Sequence, residues 1–452
     1  MKTIFLFIRN AILMSDLLRT DYIKYLSQKY RVVVFTPFLG EEEARMGNYF
    51  ASTNVIYKKW NGKNVKTLAK FKFLRTACMR ELNFVSSIDI FYSSDRFLKD
   101  KRARLARFLS GPLAPLMTND FFTKLESFFV RVPPEFKQYC ETYKPSLVIT
   151  ATPGIQLYEA EAIILAKKMG LKTLATNFSW DNLMSFKSSR LRRPDYLFCW
   201  NDIIRESALK IHGFNPARVF VAGSMRFDRY FKESDVLPGR EEFLRGKNLD
   251  PRHPTVLFAT ASKNLNFNLT ILRDLLALRS AGEIPYSNIL LRLHPIDDPK
   301  TYKEFKKEPD FCIEEAGRKI TTPTGGEVVE MRREDFVNLK ATLAHTEINV
   351  NFKSTISLES FLLGKPVINY LDLTQPLLNK IYYDEHSYYR PIVKEGAVRI
   401  SKNKDDLKAM INDYLADPSL DEAARERVAK KYIPFRDGLS FKRNVDLIEK
   451  II

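Results

Sequence analysis

Cysteine is scarce: the 452 residues hold four, Cys78, Cys140, Cys199 and Cys312, scattered rather than grouped. That spacing argues against a disulfide framework and a thiolate-rich zinc site, and it points to a reducing compartment. Histidine is equally thin. The five, His212, His253, His294, His345 and His386, never fall at ligand spacing and no H-E-x-x-H occurs, so no metal centre is expected. Gly-rich phosphate loops are missing too. No G-x-G-x-x-G follows the first apolar run and no G-x-x-x-x-G-K-[ST] occurs anywhere, which weakens dehydrogenase and P-loop readings. No apolar run reaches the roughly 18 residues a spanning helix needs. The opening MKTIFLFIRNAILM is broken by Arg9 and Asn10 and reads as a first strand rather than a signal peptide.

Hydrophobic residues make up 45% of the chain, ample for folded cores, and a length of 452 favours two or more domains. Lys and Arg exceed Asp and Glu by 72 to 54, a formal charge of +18. Such an excess favours an anionic partner: nucleotide phosphates, an anionic membrane surface or nucleic acid. The basic residues cluster at 101–107, within FLKDKRARLARFLSG, and again at 187–194, KSSRLRRP. The first cluster reads as an amphipathic basic helix able to rest on lipid headgroups, with Leu105 and Leu109 near the apolar side of Phe108, or equally as a solvated helix face. The chain is therefore expected in the cytoplasm, with peripheral contact to the inner face of a membrane through these patches.

Strand and helix patterns alternate along the first half. Apolar, β-branched runs at 3–8, 31–36, 88–92, 147–150, 171–175, 196–200 and 219–222 read as strands, with helices over 16–29 and PGIQLYEAEAIILAKKMG. Runs without alternation suit strands buried on both faces, hence a parallel, helix-covered sheet. Residues 231–253 turn polar and mark a linker. A second pattern follows at once, with strands at 255–260, 288–293, 348–352 and 366–370, and helices near 266–278, 299–307 and 355–363. The tail from Asp405 is expected to be helical in pieces broken at Pro418 and Pro434. The expected fold class is α/β: two Rossmann-like domains, 1–230 and 254–435, facing across a cleft, with 436–452 as a helix returning to the first. In such sheets ligands bind at the carboxyl ends of the strands.

Candidate site residues follow from those ends. LLRLHPIDDP hands His294 to the loop after a buried strand, and Pro295 stiffens that loop. An imidazole there suits a phosphate contact or a proton transfer, or a structural hydrogen bond. In NFKSTISLESFLLGKP, Ser354 or Thr355 stands where an N-cap should, so its backbone amides form a candidate phosphate cradle, with Glu359 one turn further along for a ribose. Simple capping is the competing account. Asp297 and Asp298 suit a helix-start cap as well as an ion. TPTGGEVV (322–329) reads as a hairpin or a lid loop. In the first half, RNAILMSD brings Arg9, Asn10 and Asp16 to one strand end. TNFSWDNL brings Trp180, Asp181 and Asn182 to another, where the aromatic and the acid suit a sugar ring or plain packing. Asp181, Asp16 and Glu159 are the candidate bases, with Asp181 favoured.

A strand followed by His-Pro, then a Ser-Thr helix start with Glu359 and LLGKPVI, resembles the donor-binding half of GT-B glycosyltransferases. The nearest likenesses are CDP-glycerol glycerophosphotransferases, the HP-motif sialyl- and Kdo-transferases, and the hydrolysing UDP-N-acetylglucosamine 2-epimerases. The resemblance is strongest over about 250–375. It implies that His294 contacts donor phosphate, that Ser354 and Thr355 hold phosphate, and that Glu359 faces the ribose. GSMRFDRY is similar to the Gly-Ser-x-Arg-Phe-Asp crossover of this group, which implies that Gly223, Ser224 and Arg226 neighbour the cleft. The sequence departs from the epimerases in lacking their Gly-Gly pair at NFKST, and from the glycerophosphotransferases in showing NFKS for Asp-Tyr-Ser-Ser. The implied activity is metal-independent, cofactor-free transfer from a nucleotide-sugar donor, possibly CMP-linked, to a surface polysaccharide or lipid-linked glycan. A nucleotide-sugar 2-epimerase and a non-enzymatic nucleic-acid-binding protein are the alternatives; the second lacks any RNP, KH or zinc-finger signature.

Overall fold

The computed structural model describes residues 1–452 except 10–16, 19, 38–51, 86, 114, 178, 233–235, 262–264, 322–326, 372, 374–375 and 385–386. In chain order the described strands are β1 (Thr3–Phe7), β2 (Arg31–Thr36), β3 (Val55–Lys59), β4 (Pro145–Thr150), β5 (Lys172–Thr176), β6 (Tyr196–Cys199), β7 (Val219–Val221), β8 (Thr255–Ala259), β9 (Asn288–Arg292), β10 (Phe311–Glu314), β11 (Arg318–Thr321), β12 (Glu327–Glu330), β13 (Ile348–Asn351), β14 (Val367–Tyr370) and β15 (Arg399–Ser401). The helices used below are α1 (Asp21–Lys29), α2 (Val65–Cys78), α3 (Lys101–Leu113), α4 (Asn119–Phe129), α5 (Leu157–Lys168) and α6 (Ile356–Leu362). Among the described residues no helix is long and apolar enough to cross a membrane.

The chain divides into two compact units, one of residues 1–228, 384–388 and 433–452, the other of 229–383 and 389–432. In the first, a parallel sheet runs β3-β2-β1-β4-β5-β6-β7. Its strands are apolar on both faces because both faces are covered. Ile4, Leu6, Val32, Val34, Leu147 and Ile149 point into one core, while Phe5, Phe7, Val33, Phe35 and Val148 point into the other. The first core also takes Val445, Ile448 and Ile451 from the C-terminal helix Ser440–Ile448 and the turn after it.

Among its described residues the crossover from β3 to β4 holds helices and no strand, and it carries a small core of its own, with Ala77, Cys78, Met79, Leu82, Val85, Ile88, Phe97, Ala103 and Phe122. Residues 88–92 belong to it. IDIFY, expected as a strand, is the short helix Ile88–Tyr92, in which only Ile88 is fully buried. Its β-branched and aromatic residues pack against neighbouring helices, so tertiary context overrides local preference. The strand VIYKK of β3 was not anticipated, since its half-exposed edge position leaves little apolar signal.

In the second unit a parallel sheet runs β10-β9-β8-β13-β14-β15. β11 and β12 form an antiparallel hairpin around residues that lie outside the described set. The segment expected as a linker includes the helix Arg240–Arg245 within this unit. Numbered within each unit, both sheets follow the order 3-2-1-4-5-6, the first with one further strand. Strand order therefore reverses between β1 and β4 in one unit and between β8 and β13 in the other. At such a reversal the loops part to opposite faces and leave a crevice at the carboxyl ends.

Candidate functional site

At the reversal of the second sheet, the loop after β9 is fastened to the end of β8. Thr260 accepts the His294 backbone N–H at 2.8 Å and donates its hydroxyl to Asp297. The His294 carbonyl accepts the Asp297 N–H at 2.8 Å, closing a turn with Pro295 at its second position, where a fixed φ is favoured. The Ile296 N–H donates to His294 Nδ1 at 3.3 Å, so the neutral ring carries its proton on Nε2. Burial lowers the His294 pKa below the ordinary value, against a smaller upward pull from Asp297. The result is an imidazole that stays uncharged at neutral pH and presents a donor. Asp298 accepts the Lys300 N–H and caps the following 3-10 turn.

On the other side of the reversal, β13 ends in Asn351 and the chain bends through Lys353, whose φ of 37° is left-handed. Such a conformation is costly for a lysine and has to be held by its surroundings. Asn351 supplies the hold: its Oδ1 accepts from Ser354 N–H (3.3 Å), Ser357 Oγ (3.2 Å) and Asn369 Nδ2 (3.1 Å). The buried network extends through Asn349 to Ser360 Oγ (2.7 Å) and through Tyr389 OH to Asn369 Oδ1 (2.6 Å). Neither Ser354 nor Thr355 caps α6 in the expected way. Thr355 already has helical φ and ψ and makes no side-chain capping bond, because Asn351 organises the turn instead. Glu359 lies within α6, 3% exposed, on the buried part of a seven-residue helix. Arg292, two residues before His294, is buried in an ion pair with Glu314, which Lys247 also holds at 2.5 Å.

The first unit carries a narrow pocket at the carboxyl edge of its sheet, lined among others by Asn177, Trp200, Gly223, Ser224 and Arg226. Gly223 has a φ of 81°, and a Cβ there would meet Ser440 Oγ at 2.6 Å, so glycine is required both by the turn and by the approach of the C-terminal helix. Asp228, the last residue of GSMRFD, is buried and accepts the backbone N–H groups of Ser440 (3.0 Å) and Phe441 (2.9 Å), capping that helix. Asn177 is buried, lines the pocket, and its Oδ1 has no hydrogen-bond partner among the described residues. Sequence reading missed it, although it stands directly after β5 in a segment already singled out.

The other candidates of that segment are already engaged. Asp181 accepts from Ser179 Oγ (2.7 Å) and pairs with Lys187 Nζ (2.5 Å). Trp180 is buried with its ring 5.0 Å from that of Tyr388. Glu159, at the start of α5, is fully buried and accepts from Thr152 Oγ1, and burial pushes its carboxyl up to about 8. Asp16 and Asn10 lie outside the described residues.

No family model matches the chain, and no curated protein does. Solved structures do. The MnaA protein of Staphylococcus aureus in complex with UDP has 13% identity and a TM-score of 0.55, covering 100% of this chain and 97% of that one. The UDP-GlcNAc 2-epimerase of Neisseria meningitidis bound to UDP-GlcNAc has 12% identity and a TM-score of 0.54, covering 100% of both chains. A glycosyltransferase of Rickettsia africae has 12% identity and a TM-score of 0.52, covering 100% and 98%. The fold is GT-B.

Within this GT-B chain the second basic cluster, 187–194, is not a surface patch. Arg192 is fully buried and bonds Glu126 through Nε (2.9 Å) and Nη2 (2.6 Å), while Arg75 bonds the same carboxylate at 3.2 Å. Lys187 is committed to Asp181 and Arg193 to Asp120. The charges that sequence reading offered to a membrane are used here to fasten α2 and α4 to the loop after β5.

Proposed function

We propose that the chain is a glycosyltransferase that takes a sugar from a nucleotide-activated donor. The observation that carries this reading is the uncharged, doubly tethered His294 beside the reversal of a 3-2-1-4-5-6 sheet, with the Asn351-organised turn on the other side of that reversal. A neutral imidazole that donates from Nε2 supports a departing phosphate without requiring a metal, and the amides of the 353–356 turn add further donors. In the transfer the acceptor hydroxyl forms a bond to the anomeric carbon, the bond from that carbon to the phosphate oxygen breaks, and the acceptor proton passes to a carboxylate. Asp181 and Asp16 are the proposed bases; the Lys187 ion pair orients the Asp181 carboxylate. Asn177, with its unpartnered carbonyl oxygen in the pocket of the first unit, is the proposed hydroxyl ligand of the acceptor. The donor is a nucleotide sugar, with UDP- and CMP-linked sugars the first to try, and the acceptor a surface or lipid-linked glycan. A second reading, nucleotide-sugar 2-epimerisation, is favoured by the fold shared with two UDP-bound or UDP-GlcNAc-bound proteins.

The test is calorimetric titration with UDP, CDP, CMP and GDP, repeated on His294→Ala. One nucleotide should bind, and the variant should lose about tenfold in affinity, the worth of one phosphate hydrogen bond. Equal affinity in a folded variant would remove His294 from the site. Incubation with the matching nucleotide sugar, followed by NMR, then separates the readings. Sugar inversion at C2 without an acceptor would establish epimerisation, whereas nucleotide release that depends on an added glycan would establish transfer.

A further inference from the structure

Most of the exposed large apolar side chains among the described residues fall between Phe84 and Phe129, and they concentrate on α3. This helix is capped by Asp100, whose Oδ1 accepts the Ala103 N–H at 3.0 Å. It packs inward through small residues: Ala103 and Ser110, seven apart, are the buried positions, so one narrow face meets the protein. The opposite face carries Leu105, Phe108, Leu109 and Leu113, spaced by three, one and four residues as a helical stripe requires. Phe108 is 79% exposed, Leu105 58% and Leu109 55%, and beyond the helix Leu116 is exposed as well.

An apolar stripe that faces away from its own core is the reverse of what a globular helix shows. One flank and the N-terminal end are cationic. At 100° per residue, Arg104 lies beside the stripe, while Lys101 and Arg102 stand in line with it at its N-terminal end; all three are exposed and make no ion pair among the described residues. Arg107 lies toward the buried side, bonding Asn83 at 2.8 Å over the Tyr92 ring. Apolar side chains at the centre with lysine and arginine at the rim is the arrangement that inserts at the headgroup boundary of an anionic bilayer. We propose that α3 is a membrane-docking helix that lies in the plane of an anionic lipid surface.

Charge complementarity selects that occupant. A protein partner would have to match both the apolar stripe and three uncompensated cations at its N-terminal end and side, whereas an anionic bilayer offers both along one helix length. The proposal stands apart from the catalytic reading, because no residue of α3 belongs to the candidate site.

The experiment is co-sedimentation of the full chain with vesicles of phosphatidylcholine alone and of phosphatidylcholine mixed with phosphatidylglycerol, at low and high salt. The chain should sediment with the anionic vesicles and release partly at high salt. Phe108→Ser with Leu109→Ser should lower that partition at least about tenfold by removing the inserted side chains, and Arg102→Glu with Arg104→Glu should abolish the preference for anionic lipid. Both pairs are exposed, and circular dichroism should show the native spectrum. Absence of vesicle binding by the parent chain, or equal binding by the Phe108→Ser, Leu109→Ser variant, would overturn the proposal. So would analytical ultracentrifugation showing a dimer that the same variant dissolves, since the stripe would then be a contact between copies.

Discussion

Glu159 shows how far a single side chain can be moved by its surroundings. It is fully buried, shares a short bond with Thr152, and leaves Oε1 without a partner, so burial raises its pKa from an ordinary 4.5 to about 8. In the unfolded chain the same carboxyl ionises near its ordinary value. Between the two values the unfolded state releases a proton that the folded state keeps, so stability is greatest below about 4.5. It falls as pH rises toward 8, by at most about 1.4 kcal/mol per unit, and is flat above. Glu159→Gln should flatten that fall, as read by urea denaturation at a series of pH values. An unchanged slope would mean that Glu159 ionises in the folded state like a solvated acid. Other residues resisted reading for the opposite reason. Asn349, Asn351 and Asn369 sit in runs that were correctly taken as buried strands, but polar residues on a strand reveal no partners until the neighbouring strand and helix are in place.

At the scale of elements, α2, α4 and the loop after β5 are joined by the Arg75–Glu126–Arg192 cluster, in which both ion pairs have fully buried partners. Removing the shared carboxylate by Glu126→Ala leaves two buried guanidinium groups facing each other. A cost of about 3–5 kcal/mol is expected, measured by chemical denaturation; a loss below about 1 kcal/mol would show that water replaces the carboxylate. Element types were largely legible, because uninterrupted apolar runs mark parallel strands and the switch to helical spacing marks the crossovers. The failures have one cause. IDIFY and KSSRLRRP each carry a clear local pattern, yet whether a pattern faces core or solvent depends on residues far along the chain. IDIFY was read as sheet and is helix; KSSRLRRP was read as a basic patch for a membrane and is largely buried.

For the molecule as a whole, what matters most is that the first unit draws on both ends of the described chain. Its core includes Ile4 and Leu6 together with Val445, Ile448 and Ile451, and Asp228 depends on Ser440 and Phe441 for its hydrogen bonds. The second unit, by contrast, takes its residues from between 229 and 432. A chain terminated after Tyr432 should therefore lose the first unit while keeping the second. Limited proteolysis should spare a fragment beginning near residue 229 and digest residues 1–228; protection of both would contradict the role given to the C-terminal helix. Alternating strands and helices implied parallel, helix-covered sheets, and their 3-2-1-4-5-6 order came only with the structure. The return of the last helix to the first strands was expected from sequence only as a notion of where a tail might go, since nothing in SFKRNVDLI names its partner.

That closing helix also sets a schedule. On the ribosome, residues 229–432 can fold as soon as they emerge, whereas the sheet made first must wait with one apolar face only partly covered, by α1, until residues near 440 are synthesised. At about 5–20 residues per second the delay is roughly 10–40 s, long enough for a holding chaperone to engage the nascent chain.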